Sequence, residues 1–112
     1  MSWDAYLECE CCGGEAYEAN YTHNTNAMVD AALEKITGQS VTSWLDILDG
    51  MSSVDSIPFL CGIVEELESN HGYDYMNPPN GWGSRESLVP VLNGMALAAR
   101  NKRGTLKWKV WR

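Results

Sequence analysis

The sequence predicts an α+β fold: a three-stranded antiparallel sheet with three to four helices packed on one face, in the order β-β-α-α-α-β. Three observations carry this expectation. Two stretches near the N-terminus alternate apolar and polar residues around a Gly13-Gly14 pair. A third stretch alternates at the C-terminus. The residues between repeat their apolar positions at helical spacing. The chain has 112 residues, 45% hydrophobic and 21% charged, enough for one core and a single domain over 1–112, and too few for two.

The elements follow in order. Trp3, Ala5, Leu7, Cys9 and Cys11 point one way, while Asp4, Tyr6, Glu8 and Glu10 point the other. Period two reads as a half-buried strand. Glu15 to Thr22 alternates again, with Tyr17, Ala19 and Tyr21 on one face, so the Gly-Gly turn joins a hairpin. Asn24 or Thr25 can cap a first helix whose stripe is Met28, Val29, Ala32, Leu33 and Ile36, ended by Gly38. A short helix over 44–48 follows, with Ser43 and Asp46 in capping-box spacing. A third starts near Ser53 or Asp55, with Ile57, Leu60, Cys61, Ile63, Val64 and Leu67 as its stripe and Pro58 near its first turn. Residues 69–83 are turn chemistry. Ser84 caps a fourth helix with stripe Leu88, Val91, Leu92, Met95 and Ala99, closed by Lys102-Arg103-Gly104. Leu106, Trp108 and Val110 alternate with Lys107, Lys109 and Trp111 in a last strand.

The net charge is -7, unevenly placed: Lys35 and Arg85 are the only basic residues before position 100, where all fifteen acidic residues lie. Such a chain repels phosphates, which argues against direct, sequence-independent nucleic-acid binding. The basic C-terminal strand is expected beside the hairpin, with Lys107 and Lys109 across from Glu8, Glu10 or Glu18. No apolar run reaches 18 residues and the first residues lack signal-peptide character, so a cytoplasmic protein without membrane contact is expected. Four cysteines then read as thiols or metal ligands, not disulfides.

Three segments could carry chemistry. Cys9 and Cys12 have C-x-x-C spacing; zinc would need further ligands from Cys11, His23, Cys61 and His71, and no second C-x-x-C exists. The bland reading is a hairpin tip that holds thiols, so no cofactor is assigned, with zinc at Cys9 and Cys12 and redox thiols as minor alternatives. Asn20, Thr22, His23 and Asn24 lie between a strand and a helix. They serve either as caps or as a polar pocket at a helix N-terminus, which would favour an anion such as phosphate. Asn77, Asn80 and Trp82 lie in a Pro- and Gly-rich loop. Trp82 either plugs the core or joins Tyr73 and Tyr75 as an aromatic wall. Glu65, Glu66 and Glu68 read as a solvated helix face. No phosphate loop, metalloprotease helix or nucleophile elbow is present.

The segments Met1 to Glu8, Asn20-Tyr21-Thr22-His23-Asn24 and Asn77-Pro78-Pro79-Asn80-Gly81-Trp82-Gly83, with the closing strand, resemble a set of small bacteriophage and prophage proteins without an established activity. The resemblance spans nearly the whole chain and implies a phage context in an infected bacterial host. The expected function is non-enzymatic binding of a polar or nucleotide-like small ligand, or of a host protein, through Asn20, Thr22, His23, Asn24, Asn77, Asn80 and Trp82. The alternatives are an acidic, DNA-imitating inhibitor of a host nucleic-acid enzyme and a small hydrolase or transferase using His23.

Overall fold

A computed structural model describes residues 2–102 and 105–112. Strands β1 (Ser2–Cys9) and β2 (Glu15–Thr22) form the hairpin, and β3 (Leu106–Trp111) pairs with the other side of β1. The sheet order is β2-β1-β3, antiparallel throughout. Between β2 and β3 lie α1 (Asn26–Thr37), the five-residue α2 (Trp44–Leu48), α3 (Ser53–Ser69) and α4 (Arg85–Asn101). Short 3-10 turns occupy His23–Thr25 and His71–Met76. The α+β class and the three-stranded sheet expected from the sequence are present, and α2 makes the helices four.

The sheet buries one face because its apolar residues recur at period two. Trp3, Ala5 and Leu7 of β1 are fully buried, and Leu106, Trp108 and Val110 of β3 are buried. Ala5 sits between Ala19 and Val110, and Leu7 between Tyr17 and Trp108, so the register keeps these side chains on one face. Trp3 meets Trp44 edge-on at 5.3 Å between ring centroids. Leu60, Ile63 and Leu67 of α3 and Leu88, Leu92 and Met95 of α4 complete one continuous core. The radius of gyration, 13.6 Å, is that of a compact domain of this length, about 13 Å.

Several local expectations are corrected. Cys11 leaves the alternation, because β1 ends at Cys9 and the turn begins. Neither Asn24 nor Thr25 caps α1 with its side chain; Thr22 Oγ1 instead accepts the Asn24 N–H at the preceding 3-10 turn. Ser43 makes no cap bond to α2; Asp30 of α1 reaches across and accepts the Trp44 N–H at 2.8 Å. Ile36 faces outward, 48% exposed, so the α1 stripe stops one turn early. Pro58 is the sixth residue of α3, beyond its first turn, and Pro90 has the same place in α4. Pro58 leaves the Val54 carbonyl without its i+4 donor, tolerable because Val54 and Pro58 both lie on the solvent face. Cys61 is only half-buried. Lys109 faces Tyr6, not a glutamate, and its ammonium lies over the Trp111 ring; Glu8 does stand across from Lys107. Of the expected stop after α4, Arg103 and Gly104 lie outside the described residues.

The outer edge of β3 is covered. The Gly50 N–H donates to the Trp108 carbonyl, the Trp108 N–H to Met51, and the Val110 N–H to Asp49 Oδ1. The exposed Arg112 pairs with Asp46. The other end of the sheet, where β2 runs into α1, faces the loop before α4.

Burial pushes the Asp30 carboxyl up, against the opposing pull of the Trp44 N–H. Its oxygen is useful and its charge is not. Asp30→Asn is therefore expected to hold or raise stability at neutral pH, while Asp30→Ala costs about 1 kcal/mol in urea unfolding.

Candidate functional site

The two polar segments singled out in the sequence meet in space. Ser2, Asn20, Tyr21, Thr22, Asn24, Asn80, Trp82, Gly83 and Ser87 line an open groove of about 710 Å³ at the end of the hairpin. That volume suits a nucleoside- or sugar-sized molecule. Five of the expected residues are there: Asn20, Thr22, Asn24, Asn80 and Trp82. His23 and Asn77 are not.

The groove is built by docking the loop before α4 onto the end of β2. The Tyr21 hydroxyl accepts the Ser84 N–H at 3.1 Å and shares a hydrogen bond with Ser87 Oγ. Gly83 then lies directly over the strand end. Its φ is +94°, and a Cβ there would fall 2.6 Å from Thr22 Cγ2 and 3.2 Å from both Thr25 Cγ2 and the Tyr21 oxygen. Only glycine fits, for backbone conformation and for space together.

Trp82 is presented by two asparagines. Asn80 Oδ1 accepts the Trp82 N–H at 3.0 Å, and Asn24 Nδ2 donates to the Trp82 carbonyl at 3.3 Å. The peptide is thus held on both sides while the ring stands 70% exposed. Trp82 does not plug the core, because Trp3, Trp44 and Trp108 already fill it. Nor do Tyr73 and Tyr75 form a wall with it. Tyr73 is buried and donates to Glu66, and Tyr75 points into solvent away from the groove lining. Asn20, across from Asp4, donates to its carboxylate at 2.6 Å and to the Trp3 carbonyl at 3.3 Å. Asn20 Oδ1, Asn24 Oδ1 and Asn80 Nδ2 make no further bond among the described residues.

The two absentees have definite reasons. Trp44 Nε1 donates to Asn26 Oδ1, so the Asn26 amide nitrogen donates to His23 Nδ1, at 3.1 Å. The neutral His23 ring then carries its proton on Nε2, an atom buried in the protein interior. A turned-in ring cannot serve the groove as a base. Asn77 Oδ1 accepts the Arg85 N–H at 2.8 Å and acts as a cap for α4.

Beneath the loop, Arg85 is a buried anchor. Its Nε donates to Asp74 at 2.7 Å, its Nη1 to the Leu67 carbonyl at 2.8 Å, and its Nη2 reaches His71 Nδ1 at 3.2 Å. One guanidinium therefore joins the end of α3, the 3-10 turn and the start of α4. Glu66, expected in solvent, is also engaged: it accepts from Tyr73 at 2.9 Å and pairs with Lys35 at 3.2 Å. Tyr21, Gly83, Ser2 and Ser87 were not among the expected binding residues. The one available signal was Gly83 directly before a Ser cap, which marks a close backbone approach only once its neighbour is known.

The N-terminus of α4 opens beside the groove, yet three of its donors are already spent. The Ser84 N–H goes to Tyr21, the Arg85 N–H to Asn77 and the Ser87 N–H to Ser84 Oγ. Among the described residues, none that lines the groove is charged. The arrangement therefore suits a neutral ligand better than the phosphate anticipated from the sequence. Among the described residues, no three His, Cys, Asp or Glu side chains converge as metal ligands, and Cys9 and Cys12 are not joined by His23, Cys61 or His71. No helix among them is long and apolar enough to cross a membrane. No protein-family model matches the chain, and neither does any curated protein or solved structure.

Two outcomes follow. Gly83→Ala is expected to cost roughly 1–3 kcal/mol, from a left-handed backbone and a steric clash, read as a lower urea midpoint. Acid should also loosen the loop. Hydrogen bonding from Arg85 holds the Asp74 carboxyl below the usual range, and the Tyr73 hydroxyl does the same for Glu66. Lowered folded-state values mean stability that is complete above the unfolded values of about 4 and lost as pH falls through the folded ones. Thermal melts between about pH 5 and pH 2 should show this loss, with a shallower slope in Asp74→Asn.

Proposed function

We propose that this is a small phage-encoded accessory protein, working in the cytoplasm of an infected bacterium, that binds a small polar ligand without chemical turnover. The ligand is neutral and has a flat face, as a nucleobase or a sugar ring has. Its face stacks on Trp82 and its polar edge meets the amides of Asn20, Asn24 and Asn80.

The observation that carries this reading is the presentation of Trp82. A tryptophan whose backbone is fixed on both sides and whose ring is left in solvent is prepared to stack on something. The groove beside it is polar, uncharged and of ligand size. Among the described residues its lining holds hydroxyls, including those of Ser2, Tyr21 and Ser87, but no His, Lys, Asp or Glu to serve as the base that would activate them, which supports binding over catalysis. The phage setting rests on the resemblance of the two segments that build the groove.

The test is a titration of the purified chain with nucleosides, neutral sugars and, as a charged contrast, nucleoside phosphates, followed by tryptophan fluorescence and thermal shift. A nucleoside or a sugar is expected to bind, and its phosphate to bind no better. Trp82→Ala should weaken binding about tenfold or more while leaving the melting temperature nearly unchanged, because the ring contributes little to the core. Binding that survives Trp82→Ala would place the ligand elsewhere. An acidic inhibitor that imitates DNA would behave oppositely: indifferent to Trp82→Ala and sensitive to charge reversal at the exposed Glu65 and Glu68.

A further inference from the structure

The hairpin tip is a second chemical site, at the far end of the sheet from the groove. The eight residues of β1 separate the two by ~23 Å of extended chain. Five of the six residues from Cys9 to Gly14 are Cys or Gly, and their backbone is closely tied. The Gly13 N–H donates to the Cys9 carbonyl at 2.8 Å, which winds Cys9–Gly13 into a single helical turn. The Cys9 N–H donates to the Gly14 carbonyl at 2.8 Å and closes the loop at its base.

In such a turn, residues three apart share a side and residues two apart do not. Cys12 therefore shares the side of Cys9, and Cys11 makes only the weakest of the hydrogen-bonding contacts to Cys9. The ends of a four-residue turn lie within about 7 Å at Cα, which overlaps the ~4.4–6.8 Å that a disulfide needs. The Cys12 sulfur is folded back into the tip, where it accepts the Gly14 N–H at 3.4 Å. Cys12 and Cys11 are exposed to reagents, whereas Cys9 is half-buried against the core and the fourth thiol, Cys61, lies on α3.

We propose that Cys9 and Cys12 form a redox-active dithiol that exchanges with small disulfides of the glutathione class. The Cys9 thiolate attacks one sulfur of the disulfide. The S–S bond breaks, one glutathione leaves as a thiolate that takes a proton from water, and a mixed disulfide remains on Cys9. Cys12, having released its proton to solvent, then attacks the Cys9 sulfur and expels the second glutathione. Two protein thiols are oxidised and one external disulfide is reduced to two thiols. The environment of Cys9 suits it to the first step: hydrogen bonding from the Cys12 thiol, then from the backbone N–H groups of Cys12 and Cys11 and least from the Cys11 thiol, pulls the Cys9 thiol below its usual range despite partial desolvation.

The experiment treats the fully reduced chain with oxidised glutathione at neutral pH and reads intact mass and alkylated peptides. The expected product is a chain two hydrogens lighter, with Cys9 joined to Cys12 and Cys61 still alkylatable. Cys11→Ser should give the same product. Cys12→Ser should stop at the mixed disulfide, with one glutathione on Cys9. A bridge to Cys11 or Cys61, a disulfide between two chains, or Cys12→Ser and Cys11→Ser behaving alike would each overturn the proposal. Far-UV circular dichroism of the variants separates lost chemistry from lost folding, since the tip lies outside the core. Ligand binding at the groove is read separately and is expected to be the same in both redox states.

Discussion

One phenolic hydroxyl sets the geometry on which the groove depends. Tyr21 is the penultimate residue of β2, and its ring carries the hydroxyl to the first turn of α4, 63 residues later in the chain. There it accepts the Ser84 backbone N–H and shares a hydrogen with Ser87. The Ser84 N–H is one of the donors that a helix start leaves without an intrahelical partner. Satisfying it from a strand residue locks the helix to the sheet and sets the height at which the preceding loop crosses the strand end. Gly83 is what that height demands, since no side chain fits between the loop and Thr22.

The loop is held from two sides. Below, Arg85 is 9% exposed and donates to Asp74 and to the Leu67 carbonyl while its Nη2 reaches the His71 ring nitrogen. A buried guanidinium is costly unless its donors are met, and here they meet a carboxylate and one of the orphan carbonyls at the end of α3. Above, Asn80 and Asn24 grip the two sides of the Trp82 peptide. Between these anchors Pro78 and Pro79 restrict the chain, and Gly81 and Gly83 supply the left-handed turns that it needs. The backbone that carries the exposed indole is thus fixed before any ligand arrives, and little backbone ordering entropy is left to oppose binding.

Much of the fold was legible because period-two alternation is set by burial. Trp3, Ala5, Leu7, Leu106, Trp108 and Val110 all fall on the buried face that the sequence indicated. Most of the helix stripes were legible for the same reason, Ile36 excepted, as was Gly38, which takes the left-handed conformation at the end of α1. The caps were not. Asp30 displaces Ser43 at α2, and Asn77 joins Ser84 at α4, because a tertiary neighbour can present an acceptor as well as a local one. The site shows the same division. Asn20, Thr22, Asn24, Asn80 and Trp82 stood out by composition. His23 and Asn77 belonged to the same segments and were taken up by Asn26 and Arg85, partners that spacing alone does not reveal. Tyr21 read as one more apolar-face residue of a strand; its role lies in an oxygen whose partner is distant in sequence.

The docking of the loop on the strand end is open to direct measurement. A NOESY spectrum of the protein, labelled at threonine methyl groups, reports which protons lie close to the two Gly83 Hα protons. Strong cross-peaks from those protons to the methyls of Thr22 and Thr25 are the predicted result. Their absence, with the remaining sheet and helix contacts intact, would contradict the docked loop and remove the groove with it.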